Sequence, residues 1–108
     1  MKPVPIPEKY ANDIWDILMQ YAGATEYWRS NFLACRNEIT EYRFQGKLGF
    51  GGKFWNQMHV IPSSMTFSQG WDVTCYSEDE TPERKEMVRK TNERLAELFA
   101  QYQLEEKQ

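Results

Sequence analysis

The sequence predicts an α+β domain of order ααβββα, in which the N- and C-terminal helices pack on one face of a three-stranded antiparallel meander. Three observations predict it: helix-spaced apolar residues near both ends, strand-like alternation of apolar and polar residues between Thr40 and Tyr76, and a length of 108 residues, which suits a single core. Residues 1–108 are therefore interpreted as a single domain, with residues 1–6 as an extended lead-in and residues 104–108 as a frayed tail.

The first predicted helix spans Pro7 to Ala22. Proline suits the first helical turn because its missing N–H would be unpaired there. Apolar residues then recur at steps of three and four and form one stripe, and Gly23 is placed to end the helix in a left-handed conformation. The stripe consists of Tyr10, Ala11, Ile14, Trp15, Ile17, Leu18, Tyr21 and Ala22.

A second, shorter helix is predicted from Glu26 to Arg36, with Thr25 as its N-terminal cap. Trp28, Phe32 and Cys35 follow one another at steps of four and three, so they are expected to share a face. The two cysteines are too few for a disulfide scaffold, and we expect Cys35 and Cys75 to be buried, reduced thiols.

Three strands are expected to follow. Residues 41–45 alternate, and the four glycines from Gly46 to Gly52 predict a bulge or bend. The second strand, Gly52 to Val60, carries either Phe54 or Trp55 inward, depending on its register. Pro62 ends it, and residues 63–69 connect it to a third strand, Gly70 to Tyr76. In the third strand Trp71, Val73 and Cys75 share one face, opposite Asp72, Thr74 and Tyr76.

The last helix is expected from Pro82 to about Tyr102. Residues 77–83 contain capping side chains, a proline for the first helical position and acids where the helix dipole is positive. The expected inner stripe is Val88, Thr91, Leu95, Leu98 and Tyr102, with Met87 and Phe99 beside it. A charged, solvated outer face comprises Arg84, Lys85, Glu86, Arg89, Lys90, Glu93, Arg94 and Glu97.

The glycine-rich run does not match the motifs that it superficially suggests. A phosphate-binding loop would need glycine where Lys47 stands, and both it and the dinucleotide fingerprint fail at Phe54. The RNA-recognition signature shares Gly-Phe-Gly, but Leu48 replaces its basic residue and Gly52 replaces an aromatic residue. We therefore expect no nucleotide cofactor.

Catalytic residues are sparse. His59 is the single histidine, and Cys75 could pair with it only if the fold brings the two together. One histidine and two distant cysteines do not compose a zinc site. The expectation is a non-enzymatic protein without metal or cofactor, and a small enzyme using Cys75 or His59 remains an open alternative.

The expected function is a binding module that contacts its partner through the uncovered sheet face or the glycine bend. Residues 42–77 contain three basic residues and one acidic residue, although the net charge of the chain is −3. A protein partner is expected first; single-stranded nucleic acid, which needs aromatic and basic surface, and a homodimer are alternatives. The candidate binding residues are Arg43, Lys47, Phe50, Lys53, Trp55 and Tyr76.

No segment approaches the ~20 apolar residues that span a bilayer, and the N-terminus has no signal-peptide pattern. We therefore expect a cytoplasmic protein without membrane contact.

Two blocks, YRFQGKLGFGGKFW at 42–55 and CYSEDETPER at 75–84, resemble a group of small bacteriophage, prophage and bacterial proteins to which no activity is attached. The resemblance covers about the C-terminal two-thirds of the chain, and residues 56–70 are longer than expected between such blocks. It implies an intracellular accessory protein acting on a host or viral macromolecule, by analogy alone.

Overall fold

The computed structural model describes residues 6–36, 38–48, 52–62 and 71–107. It confirms the predicted α+β class and element order. The elements are α1 (Glu8–Tyr21), a 3₁₀ turn (Glu26–Trp28), α2 (Arg29–Cys35), β1 (Glu41–Leu48), β2 (Gly52–Pro62), β3 (Trp71–Ser77) and α3 (Pro82–Lys107). No described helix is both long and apolar enough to cross a bilayer.

Helix α1 buries the predicted stripe. Trp15 is fully buried, lies 5.2 Å from the Phe32 ring and 5.6 Å from the Phe44 ring, and donates its indole N–H to the Thr25 carbonyl at 3.0 Å. Aromatic pairs of this kind contribute about 0.5–1.5 kcal/mol beyond area burial. Gly23 has a φ of 77°, which confirms its predicted role at the helix end.

The second predicted helix is divided, and two expectations about it are wrong. The Thr25 side chain makes no cap hydrogen bond, and the 3₁₀ turn has about three residues per turn instead of 3.6. Trp28, which lies in this turn, therefore does not share the helical face of Phe32. Phe32 is buried, whereas Trp28 is 40% exposed and Cys35 is exposed.

The three strands form one antiparallel sheet in the order β1-β2-β3. The β1–β2 register is unbroken from Glu41 opposite His59 to Leu48 opposite Gly52, so Gly46 neither bulges nor interrupts β1, contrary to expectation. The register gives Phe54 the parity of Met58 and Trp55 the parity of Gln57. The expected bend at residues 49–51 and the connection at 63–69 lie outside the described residues.

The sheet has an inner face toward the helices and an outer face on the opposite side. Inner-face side chains are buried: Phe44, Met58, Val60, Trp71, Val73 and Cys75. Asn56, also inward and fully buried, donates its side-chain N–H to the Ala22 carbonyl at 3.1 Å, which ties β2 to the end of α1. The alternation along β3 is as predicted.

Side chains from two helices contact the edge of β3 that is not paired with β2. The Tyr10 hydroxyl of α1 donates to the Trp71 carbonyl at 3.0 Å. Asn92 of α3 donates its side-chain N–H to the Cys75 carbonyl at 2.8 Å and accepts from the Cys75 N–H at 2.7 Å. The Trp71 carbonyl and both backbone groups of Cys75 are thereby satisfied without another strand.

Helix α3 begins as predicted. Pro82 is its first residue, and the Arg84 N–H donates to the Thr81 hydroxyl at 3.4 Å. Arg84 itself, expected on the solvated face, is 3% exposed and pairs with Asp79 at 3.4 Å. Its position four residues before Val88 places it on the inner stripe.

Helix α3 continues past its predicted end at about Tyr102. The helix extends to Lys107, because Leu, Glu and Lys are good helix formers and no Gly or Pro interrupts them.

Candidate interaction surface on the outer sheet face

The outer face is formed by the residues of each strand that alternate with the buried ones. Its described side chains are Glu41, Arg43, Gln57, His59, Ile61, Asp72, Thr74 and Tyr76. Ile61 is 54% exposed and Tyr76 is 37% exposed. The helices pack against the opposite side; on the outer face Glu41, Arg43, Ile61, Asp72, Thr74 and Tyr76 are exposed, whereas Gln57 is buried.

A row of three side chains crosses the centre of this face. The register sets Arg43 opposite Gln57 and Gln57 opposite Tyr76. Gln57 is 4% exposed, and within the described residues its side-chain carbonyl oxygen has no hydrogen-bond partner. An unsatisfied buried acceptor costs about 1–3 kcal/mol.

His59 and Tyr76 form an aromatic stack beside this row. Their ring centroids are 5.3 Å apart and the planes differ by 16°. The two residues lie diagonally across β2 and β3, since His59 is opposite Thr74. Stacking holds the Tyr76 ring in one orientation, which reduces the side-chain entropy lost when a partner binds.

The described part of the outer face carries charges of both signs. Glu41 pairs with Arg43 at 3.3 Å and lies 3.9 Å from His59, an ion pair when that imidazole is protonated. Asp72, on the opposite edge strand, is exposed. These pairs are solvent-exposed, so each contributes about 0–1 kcal/mol. The resulting surface is mixed in charge, with apolar area at Ile61 and Tyr76.

The structure brings together two of the six predicted binding residues, Arg43 and Tyr76, which flank Gln57. For three more, only the backbone register is described. Lys47 lies opposite Lys53, Trp55 lies opposite Gln45, and all share the parity of Arg43. Phe50 lies outside the described residues.

Cys75 and His59 do not form a catalytic pair, because they lie on opposite faces of the sheet. Cys75 is buried on the inner face, and burial raises the pKa of its thiol to about 12. The thiolate is the nucleophilic form of cysteine, so this environment disfavours nucleophilic chemistry at Cys75. Among the described residues, no three His, Cys, Asp or Glu side chains lie close enough together to hold a metal ion.

A cleft between α1 and α3 has a volume of about 180 Å³. Tyr10 and Tyr102 stack within it at 4.7 Å, and burial, with smaller contributions from Asp72 and Tyr102, raises the pKa of Tyr10 above its usual value. Drug-sized ligands occupy sites of roughly 300–1,000 Å³. The cleft is therefore small for such a ligand, and the Tyr10 hydroxyl is already engaged by Trp71.

Sequence reasoning missed an exposed aromatic pair on the 3₁₀ turn. Tyr27 is 78% exposed and Trp28 is 40% exposed, with their rings 4.9 Å apart and nearly perpendicular. The adjacency of Tyr27 and Trp28 in the sequence was the available signal, because neighbouring residues on a helical turn cannot both face the core.

Comparison with known proteins gave no matching family model, no matching curated protein and no matching solved structure.

Proposed function

We propose that this protein is a non-enzymatic binding module that uses the outer face to bind another protein. The observation that carries the proposal is the exposed aromatic and apolar area of this face, where Ile61 is 54% and Tyr76 37% exposed. The partner would cover the Tyr76 ring and the Ile61 side chain.

The composition of the face supports a protein partner. Tyrosine and arginine are enriched among residues that dominate protein interfaces, and large apolar residues such as Ile61 add area that association removes from water. Glu41 and Asp72 give the described face negative as well as positive charge. A nucleic-acid surface would instead present a concentrated positive field.

The resemblance of the two sequence blocks to phage and prophage proteins supports an accessory role on a host or viral macromolecule. The free cysteines, exposed Cys35 and buried Cys75, support a reducing compartment such as the cytoplasm.

The experiment is affinity capture from the source cell, followed by a binding measurement with the purified captured protein. Tyr76→Ala and Ile61→Ser should each raise its Kd at least tenfold, because truncating a central interface residue commonly costs more than about 1 kcal/mol. Tyr27→Ala is the matched control, since it removes an exposed aromatic ring from a different surface. Equal binding by the outer-face variants and this control would overturn the proposal.

Single-stranded nucleic acid is a second candidate, favoured by one observation. Lys47, Lys53 and Trp55 share the strand parity of Arg43 and Tyr76, so basic and aromatic residue types recur along the outer-face positions. Fluorescence anisotropy with a labelled oligonucleotide tests it. Binding should weaken steeply with salt and with Lys53→Glu; no change in anisotropy at low salt would remove this candidate.

A further inference from the structure

The outward edge of β1 presents backbone hydrogen-bonding groups in an alternating row. The Val60 N–H donates to the Thr40 carbonyl at 3.1 Å, which fixes the phase of the antiparallel ladder. Even-numbered β1 residues therefore exchange hydrogen bonds with β2, and odd-numbered residues direct their N–H and C=O groups away from it. The outward row belongs to Glu41, Arg43, Gln45 and Lys47.

This edge differs from the edge of β3. Tyr10 donates to the outward carbonyl of Trp71, and Asn92 satisfies both outward backbone groups of Cys75. Within the described residues, α1 and α2 contact β1 through the inward-facing rings of Tyr42 and Phe44, and no backbone hydrogen bond beyond the sheet uses the outward row of β1. The β1 edge also lacks the bulge or proline with which natural proteins obstruct free edges.

We propose that two copies of this chain pair through their β1 edges, antiparallel, in the register that sets Glu41 opposite Lys47 of the second copy. The two three-stranded sheets then become one six-stranded sheet. In this register Arg43 lies opposite Gln45, so all four outward residues of each copy form hydrogen-bonded pairs with outward residues of the other. This dimer does not depend on any partner of the outer face.

The charges along β1 select this register and this occupant. Outward backbone groups occur at every second residue of β1, so the register between the two β1 strands can change only in steps of two residues if the inter-strand hydrogen bonds are to be kept. One such shift places Arg43 opposite Arg43, and the other places Arg43 opposite Lys47; like charges directly opposed are destabilising. Larger shifts leave much of the strand unpaired. The strand is thus self-complementary in both charge and hydrogen-bonding phase.

Charge exchange with mixing tests the register. Lys47→Glu sets two carboxylates opposite each other at both ends of the interface, and Glu41→Lys sets two ammonium groups there. Each variant alone should dimerise with a Kd raised roughly tenfold or more, since both symmetric pairs change from attractive to repulsive. Mixing the two variants restores opposite charges at both positions, so the heterodimer should regain approximately the wild-type Kd. The double variant should do the same by itself.

Gln45→Pro tests the edge itself. This substitution removes an outward N–H without removing a β1–β2 hydrogen bond, so dimerisation should be lost while circular dichroism and the unfolding transition remain those of a folded domain. Gln45→Thr retains the N–H and is the matched control, which should dimerise normally.

The measurement is sedimentation velocity over a micromolar-to-millimolar concentration series. Three results would each overturn the proposal: a wild-type monomer at every concentration, a Gln45→Pro variant that still dimerises, or a mixture of the charge variants that associates no better than either alone. Lys47→Glu is the more informative single variant, because Glu41 also pairs with Arg43 within its own chain.

Discussion

Asn92 forms two hydrogen bonds with the backbone of Cys75, accepting from its N–H at 2.7 Å and donating to its carbonyl at 2.8 Å. The side-chain amide thus takes the place that a neighbouring strand would have at the β3 edge. The contact also fastens α3 to the sheet, because it joins residues 17 apart in sequence on two different elements.

We predict that Asn92→Ala destabilises the protein by about 2 kcal/mol, because it leaves both backbone groups of Cys75 without a partner. Urea denaturation followed by circular dichroism measures the change. Lys90→Ala, at an exposed position on the same helix, is the control and should change the free energy of unfolding by no more than about 0.5 kcal/mol. Equal effects at the two sites would contradict the role assigned to Asn92.

Arg84→Glu should destabilise the protein by about 3–5 kcal/mol. It replaces a buried guanidinium by a buried carboxylate beside Asp79, and an uncompensated buried charge has a cost of this size. Lys85→Glu, one residue away and exposed, should cost less than about 1 kcal/mol despite losing its pair with Glu80. Thermal and urea unfolding of the two variants distinguish a buried Arg84 from a solvated one.

The two thiols should react at very different rates. Cys35 is exposed and Cys75 is buried, and burial raises the pKa of the Cys75 thiol to about 12. The native protein should therefore titrate a single thiol with Ellman's reagent, and a second thiol only in denaturant. In Cys35→Ser the native reaction should disappear; rapid native labelling of that variant would place Cys75 at the surface instead.

Stability should fall as the pH rises above about 9. The unfolded state releases the Cys75 proton near its ordinary pKa of 9.0, whereas the folded state retains it to about 12. Above pH 9 the unfolded state thus binds fewer protons, and the free energy of unfolding decreases by up to about 1.4 kcal/mol per pH unit. Tyr10, whose pKa burial raises above its ordinary value of 10.0, adds a second decrease at higher pH.

Urea denaturation between about pH 8 and pH 10 measures how the free energy of unfolding changes with pH. These limits lie about one unit below and above the ordinary thiol pKa. Cys75→Ala should flatten the decrease that begins near pH 9, and Cys35→Ala, at the exposed cysteine, is the matched control. An unchanged slope in Cys75→Ala would contradict the assignment.

The sequence predicted those parts of the fold in which local periodicity and burial agree. The stripe of α1 and the alternation of β3 are of this kind, as is the Thr81-Pro82 start of α3. Arg84 was assigned to solvent on its charge, although its spacing from Val88 placed it on the inner stripe. Its burial depends on Asp79, which the folded chain brings within 3.4 Å.

Other features depended on tertiary contacts that no local pattern encodes. The 3₁₀ turn at Glu26–Trp28 separated Trp28 from the helical face of Phe32, and Cys35 is exposed although it follows Phe32 by three residues in the same helix. In the candidate site, spacing along the strands predicted Arg43 and Tyr76. The central position of Gln57 required the register of all three strands, which the sequence left open at the glycines.

The unequal edges of the sheet set a limit on assembly. A strand added at β1 meets free backbone groups, whereas one arriving at β3 would have to displace Asn92 and Tyr10. Such a sheet can add one further copy only, because the second copy uses its own β1 edge for the pairing and has no other accessible edge. The same pair of side chains that anchors the helices thereby protects the molecule against open-ended, amyloid-like stacking.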